Sequence, residues 1–329
     1  MGEYMSIVGV AKVDYKTKNL IQRITPNDIA IIDHEDLDYA CAYSLASKKV
    51  KAVINTSNFI SGKYPNRGPH ILLDAKIPIY ENIDHNVFKY IKENDEIVIK
   101  ENLLIKNELK IRLKPLTKTQ CDTYQQLSQK NIQSEMRSFI DNTLEYMKKE
   151  KEQLFLPREN PRLNVNIRNK PVVIVIRGHH YMEDLVRLKH FISQNHPILV
   201  GVDGGADGFA EINYTPDIVF GDMDSVSDDT LKNAKNIVVH GYCNGTCPGE
   251  ERLKKLNLEY EKYFCFGTSE DAAILMTYFM GASLIVTVGS HNNIIDFLEK
   301  NRRGMSSTIL TRMLTGSKLI DAKGFFRLC

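Results

Sequence analysis

The sequence contains no tryptophan and no excess of either charge: 43 Lys and Arg stand against 41 Asp and Glu in 329 residues, a formal +2. That balance supplies no whole-protein electrostatic drive toward polyanions, so no nucleic-acid partner is expected. Cysteine is scarce. Six residues (Cys41, Cys121, Cys243, Cys247, Cys265 and Cys329) in so long a chain do not make a disulfide framework and read as reduced thiols of a cytoplasmic protein. Cys243 and Cys247 form a CxxxC with no second pair, which argues against zinc there. The opening MGEYMSIVGVAKVDYK lacks a basic segment followed by an apolar one, so it does not read as a secretory leader. There is no internal repeat and no low-complexity tract. GxGxxG after a strand and GxxxxGK(S/T) are both missing, which leaves a dinucleotide fingerprint and a P-loop without support. The one uncharged stretch near bilayer length, 272–290, is divided by Gly281-Ala282. It reads as a buried helix, a turn and a buried strand.

What is present is a globular composition, 43% hydrophobic and 26% charged, with length for two or three domains. Residues 1–116 read as a small β-rich α/β domain. Its strands are IAIID (29–33), VKAVIN (50–55), IPIY (77–80), EIVIK (96–100) and the hairpin 103–113, with a helix over 36–48. Residues 117–158 read as a connector. Between 119 and 155 there is neither Gly nor Pro, and Ile132, Met136, Phe139, Thr143 and Met147 recur at spacings of four and three. That is a long amphipathic helix with a narrow apolar seam, either a spacer packed on a neighbour or a dimer contact, and a homodimer is expected.

From 159 to 329 the pattern changes. Val/Ile-rich runs at 172–178, 198–204, 217–222, 236–241, 260–267 and 284–289 alternate with helical stretches, and a short β-rich tail follows. Buried runs separated by helices predict a doubly wound, mostly parallel α/β sheet. In such sheets ligands bind beyond the carboxyl ends of the strands. The residues found there are Arg177, Gly178, Asp203, Gly204, Gly205, Asp207, Asp222, Asp224, Ser225, Thr268, Ser269, Asp271, Gly289 and Ser290. Glycines let backbone approach a phosphate and helix starts offer free N–H groups. Asp203, Asp222, Asp224 and Asp271 supply the hard oxygens that Mg²⁺ prefers. Taken singly, an Asp-Gly-Gly or a GDxDS is a common turn or cap. Their recurrence on successive strands is what points to a nucleotide or diphosphate ligand. His179 and His180 fit either a phosphate contact or a solvated helix start. The polar loop Ser61-Gly62-Lys63 with Arg67-Gly68 reads first as a surface turn.

At DGGAD (203–207), PDIVFGDMDS (216–225) and SEDAAIL (269–275) the sequence resembles the catalytic domain of thiamin pyrophosphokinases. The resemblance implies pyrophosphoryl transfer from ATP to an alcohol, with Mg²⁺ on Asp222, Asp224 and Asp271 and with Asp203 as the acid of the DGGAN-type turn. Mg²⁺ and ATP, or another nucleotide, are the cofactors it implies. The chain departs from that pattern at Thr268, where those enzymes carry an Asp. It departs again in length, since about 40 residues follow Gly289, few for the β-sandwich that completes their thiamin pocket.

A wider set of segments, DIAIIDHEDLD (28–38), ISGKYPNRGP (60–69), NTLEYMKKEKE (142–152), GTSEDAAIL (267–275) and GMSSTILTRMLTGSKLIDAKG (304–324), resembles the SteA family of cytokinetic-ring proteins. That resemblance implies a small first domain, a helical connector and a pyrophosphokinase-like domain serving bacterial cell division. It also implies a membrane or cell-division protein partner at the division site, reached through an apolar C-terminal segment absent from this chain. The first domain is similar to the swivelling phosphohistidine domain, although the 61–69 loop holds no histidine.

Overall fold

The protein is described by a computed structural model covering residues 6–81 and 83–328. Cys329 and the first five residues, on which part of the leader reading falls, lie outside the described residues. The chain divides into two compact units, Met1–Ser138 with Leu298–Arg302, and Phe139–Phe297 with Arg303–Cys329.

The first unit is built on an eight-stranded sheet. Its strands are β1 (Ile7–Asp14), β2 (Ile29–Ile32), β3 (Ala52–Asn55), β4 (Ile79–Glu81), β5 (Glu96–Lys100), β6 (Leu103–Lys106), β7 (Leu109–Arg112) and β8 (Lys114–Pro115), in the order β7-β6-β5-β1-β2-β3-β4-β8. β1 to β4 run parallel; β5, β6, β7 and β8 are antiparallel to their neighbours. Alternate residues of β2 serve opposite faces, as strand geometry requires. Ala30 and Ile32 pack with Leu20, Leu45 and Leu72 of the helices, while Ile29 and Ile31 pack with Phe88 and Ile97. This unit is more helical than its sequence suggests. Thr17–Arg23, Gly68–Asp74 and Val87–Tyr90 join the expected helix, here Tyr39–Ser47, and the central strand β1 was not legible at all.

The connector is a single α-helix, Lys118–Glu150, followed by a tighter turn over Lys151–Phe155. Its seam is discontinuous: Phe139 and Thr143 are buried, but Met136 is 44% exposed.

The second unit holds seven strands, all parallel: β9 (Pro171–Val175), β10 (Ile198–Val202), β11 (Ile218–Gly221), β12 (Ile237–Gly241), β13 (Glu261–Phe264), β14 (Leu284–Val288) and β15 (Leu319–Asp321). The order is β13-β12-β11-β10-β9-β14-β15, so the chain walks outward from β9 and then returns to its other side. Helices cover both faces. Val172 and Ile174 meet the helix Ser269–Phe279 through Ala273 and Met276, whereas Val173 and Val175 meet Leu185 and Ile192. An α/β fold with parallel sheets and a long helix agrees with expectation. In the tail the helix Ile294–Glu299 continues the alternation of strand and helix; beyond it, in place of β-rich structure, the chain forms the helix Ser306–Thr315 and only the short strand β15. Segment 272–290 divides into helix, a turn with Gly281 at φ 87°, and β14, and no helix among the described residues is long and apolar enough to cross a membrane.

Candidate metal and phosphate site

β10 and β11 are hydrogen-bonded neighbours with Val202 opposite Phe220, so their carboxyl ends lie side by side. Past β10 the chain turns sharply at Asp203, which takes φ 46°, a left-handed conformation that Asp tolerates better than most residues. Past β11 come Asp222, Met223 (φ 62°) and Asp224. The Met223 N–H donates to Asp203 Oδ1 at 3.1 Å, and the Asp224 N–H to Asp222 Oδ1 at 3.1 Å. Gly221 makes room for this arrangement. It sits at φ 141°, and a Cβ there would fall 2.0 Å from Asp203 Oδ1.

Asp203, Asp222 and Asp224 each offer an oxygen within 4.8 Å of the others. Burial, followed by the charges of Asp222 and Asp224, pushes the Asp203 carboxyl well above the usual carboxylate range. Asp224 is exposed, so the cluster opens to solvent on that side.

The surrounding residues fix the two turns. The Gly204 N–H donates to Ser225 Oγ at 3.0 Å, and a Cβ on Gly204 would lie 2.7 Å from Arg177 Cζ. Gly205 packs on the Val175 carbonyl, where a Cβ would come within 2.3 Å. Arg177 Nη2 donates to Asp207 Oδ2 at 3.2 Å, and Asp207 Oδ1 accepts from Ser227 Oγ at 2.7 Å. Arg177 Nε is buried without a hydrogen-bond partner. Arg252, which sequence reasoning missed, ties down the second turn through the carbonyls of Met223 and Val226 and through Asp228. An arginine in a short polar helix carries no sequence signal for that role.

The remaining expected residues lie elsewhere. Asp271 is not among the three carboxylates that converge. Its Oδ2 accepts from Thr268 N–H (3.2 Å), Thr268 Oγ1 (2.9 Å), Ser307 Oγ (2.7 Å) and Thr308 Oγ1 (3.2 Å). Thr268 and Asp271 together form a capping box that starts the helix Ser269–Phe279, and Asp271 Oδ1 is buried without a partner. Ser269 Oγ lies 3.3 Å from His240 Nδ1, and Ser290 Oγ donates to Asp321 Oδ1 at 2.6 Å. Gly178 and Gly289 interlock at the ends of β9 and β14, a Cβ on Gly178 falling 2.0 Å from the Gly289 carbonyl oxygen. His180 sits at φ 56° with Nδ1 3.1 Å from Glu183 Oε1. Beside Ser290 lies a second polar group not anticipated. Glu270 Oε2 accepts from the His291 N–H and lies 3.0 Å from its Nδ1, Arg312 Nη1 reaches Asp321 Oδ2 at 3.1 Å, and Lys323 pairs with Asp296.

No model of a known protein family matches the chain, and no curated protein does. Among solved structures it is similar to thiamine pyrophosphokinase from Bacillus subtilis, at 19% identity and a TM-score of 0.28, over 46% of this chain and 60% of that one. The chain thus spans less than two thirds of the pyrophosphokinase. It is also similar to a 3-isopropylmalate dehydratase from Methanocaldococcus jannaschii, at 12% identity and a TM-score of 0.24, over 40% of this chain and 99% of that one. Both likenesses are distant and carry no functional argument.

Proposed function

We propose that the second unit, a doubly wound α/β scaffold, binds a divalent cation together with the phosphates of a nucleotide or diphosphate at the ends of β10 and β11. One observation carries the reading: Asp203, Asp222 and Asp224 converge to within 4.8 Å of one another. Three carboxylates so close repel, and burial, followed by the Asp222 and Asp224 charges, raises the Asp203 carboxyl above its ordinary range. A bound cation is the simplest way to keep all three ionised. An all-carboxylate donor set suits Mg²⁺, which keeps several waters and needs few protein ligands. When bound, Mg²⁺ supplies charge neutralisation for a phosphate chain.

The chain's own residues supply the rest. Gly204 and Gly205 let the turn after β10 pack closely against Arg177 and the Val175 carbonyl, which sets the position of Asp203. Arg177 offers a guanidinium held in place by Asp207, which Ser227 in turn steadies. The engagement of Asp271 in its capping box favours binding over turnover, because the third metal carboxylate implied by the pyrophosphokinase resemblance already has four donors on one oxygen. The finer reading, resting on sequence resemblance alone, is a SteA-like cell-division protein acting as a nucleotide-responsive dimeric scaffold with a membrane or division-site partner. Pyrophosphoryl transfer from ATP is its rival.

Melting curves with Mg²⁺, Mg²⁺-ATP and Mg²⁺-GTP test the proposal. Stabilisation by at least one nucleotide, lost in Asp222→Asn, is expected. If neither nucleotide nor Mg²⁺ moves the transition, the reading is wrong. AMP release from ATP and thiamin that disappears in Asp222→Asn would establish the enzyme in place of the scaffold.

A further inference from the structure

The first unit holds a second convergence of metal-binding side chains, unlike the first in its chemistry. His34, Asp38 and Cys41 each offer one ligand atom, and these atoms lie within 4.8 Å of one another. The spacing HxxxDxxC carries the chain from the loop after β2 into the first turn of the helix Tyr39–Ser47. Asp38 caps that helix, its Oδ1 accepting the Cys41 N–H at 2.9 Å. The cap brings Asp38 and Cys41 together, and the Cys41 side chain also hydrogen-bonds the Asp38 carboxylate. Asp38 Oδ2 lies 3.7 Å from His34 Nε2.

That separation is too long for a hydrogen bond. It is close to the roughly 3.4 Å edge of a tetrahedron whose centre lies about 2.0–2.1 Å from nitrogen and oxygen donors, as around zinc. The ring is already oriented for such a role. His34 Nδ1 lies 2.9 Å from Thr17 Oγ1, the outer hydrogen bond that commonly fixes a metal-binding imidazole with its other nitrogen facing the ion. Asp38 and Cys41 are buried, while the His34 side chain keeps 23% of its surface exposed, which leaves an entry path and a fourth position for water. The Lys300 charge bears on the same Asp38 carboxylate, so the ion must outcompete that ammonium.

We propose that His34 Nε2, Asp38 Oδ2 and Cys41 Sγ bind one Zn²⁺. A mixed nitrogen, oxygen and sulfur set selects zinc over magnesium, so the two centres differ in the metal they take.

The test uses the full chain carrying Asp222→Asn and Asp224→Asn, which silences the carboxylate cluster, titrated with Co²⁺ alone and then Zn²⁺ alone. One equivalent of Co²⁺ should produce a thiolate-to-cobalt charge-transfer absorption, and one equivalent of Zn²⁺ should displace it. Cys41→Ser should abolish the band and weaken Zn²⁺ binding by about 100-fold or more, beyond most outer-shell substitutions. The cobalt spectrum of the chain with Cys41 intact needs no variant at this site, so it reports even if Cys41→Ser folds poorly. Absence of the band in that chain, or its survival in Cys41→Ser, overturns the proposal.

Discussion

Two carboxylates of the second unit occupy comparable places, each beyond a strand on the same edge of the sheet, and meet opposite surroundings. Asp271 Oδ2 is encircled by donors from Thr268, Ser307 and Thr308. Asp203 accepts one backbone N–H and otherwise faces Asp222 and Asp224. A carboxylate whose neighbours all donate to it is holding chain segments together. Carboxylates turned on one another raise the energy of the fully ionised protein, which either a proton or a bound cation would relieve. Surroundings, more than residue type, separate the acid held by donors from the one set against other acids.

The sharpest way to break this contrast is to remove Asp271. Asp271→Ala deletes the capping box and leaves the Ser307 and Thr308 hydroxyls buried without their acceptor. Urea unfolding should show a loss of about 3 kcal/mol; a loss near zero would put Asp271 in the same class as Asp203. Next in size is the response to Mg²⁺. At a hundred times its dissociation constant the ion should stabilise the protein by about 2.7 kcal/mol, and calorimetry should find none of this in Asp224→Asn.

Asp203→Asn should do the reverse of Asp271→Ala and stabilise the metal-free protein at about pH 7.5, because it removes a carboxylate whose ionised form is disfavoured in the fold. Asn accepts the same N–H and tolerates the left-handed backbone. The sign follows from linkage. Because the folded-state pKa of Asp203 is raised, the native protein binds a proton that the unfolded chain has released, and stability falls as pH rises from the ordinary carboxylate range through the raised value. The advantage of Asp203→Asn should therefore shrink toward pH 4, as unfolding curves at the two pH values would reveal. Smallest is Thr268→Ala, expected to cost about 1 kcal/mol in thermal unfolding by weakening the helix cap, with the Mg²⁺ response intact.

Much of the second unit was legible in the sequence because a parallel strand buried on both faces writes itself as an unbroken Val/Ile run. The meeting of Asp203 with Asp222 and Asp224 was legible for the same reason, since adjacent parallel strands end side by side. The hydrogen bonds that Asp271 makes to Ser307 and Thr308 were not legible, because those residues return from 36 and 37 residues away and no local spacing announces them. The helix that carries them, Ser306–Thr315, hides behind β-branched and hydroxyl residues that favour strand locally. In the first unit β1 escaped notice, its apolar residues interrupted by Gly9 and Lys12 although it lies at the middle of the sheet.

Gly221 gives the carboxylate cluster an unusual vulnerability. The space that Asp203 occupies exists because position 221 has no side chain. A descendant of this sequence that kept every aspartate and acquired one methyl group there would look unchanged in its acids, yet could not hold Asp203 in the same place. Counting acids is therefore a poor census of which related chains keep the cluster; the void beside them is the better marker.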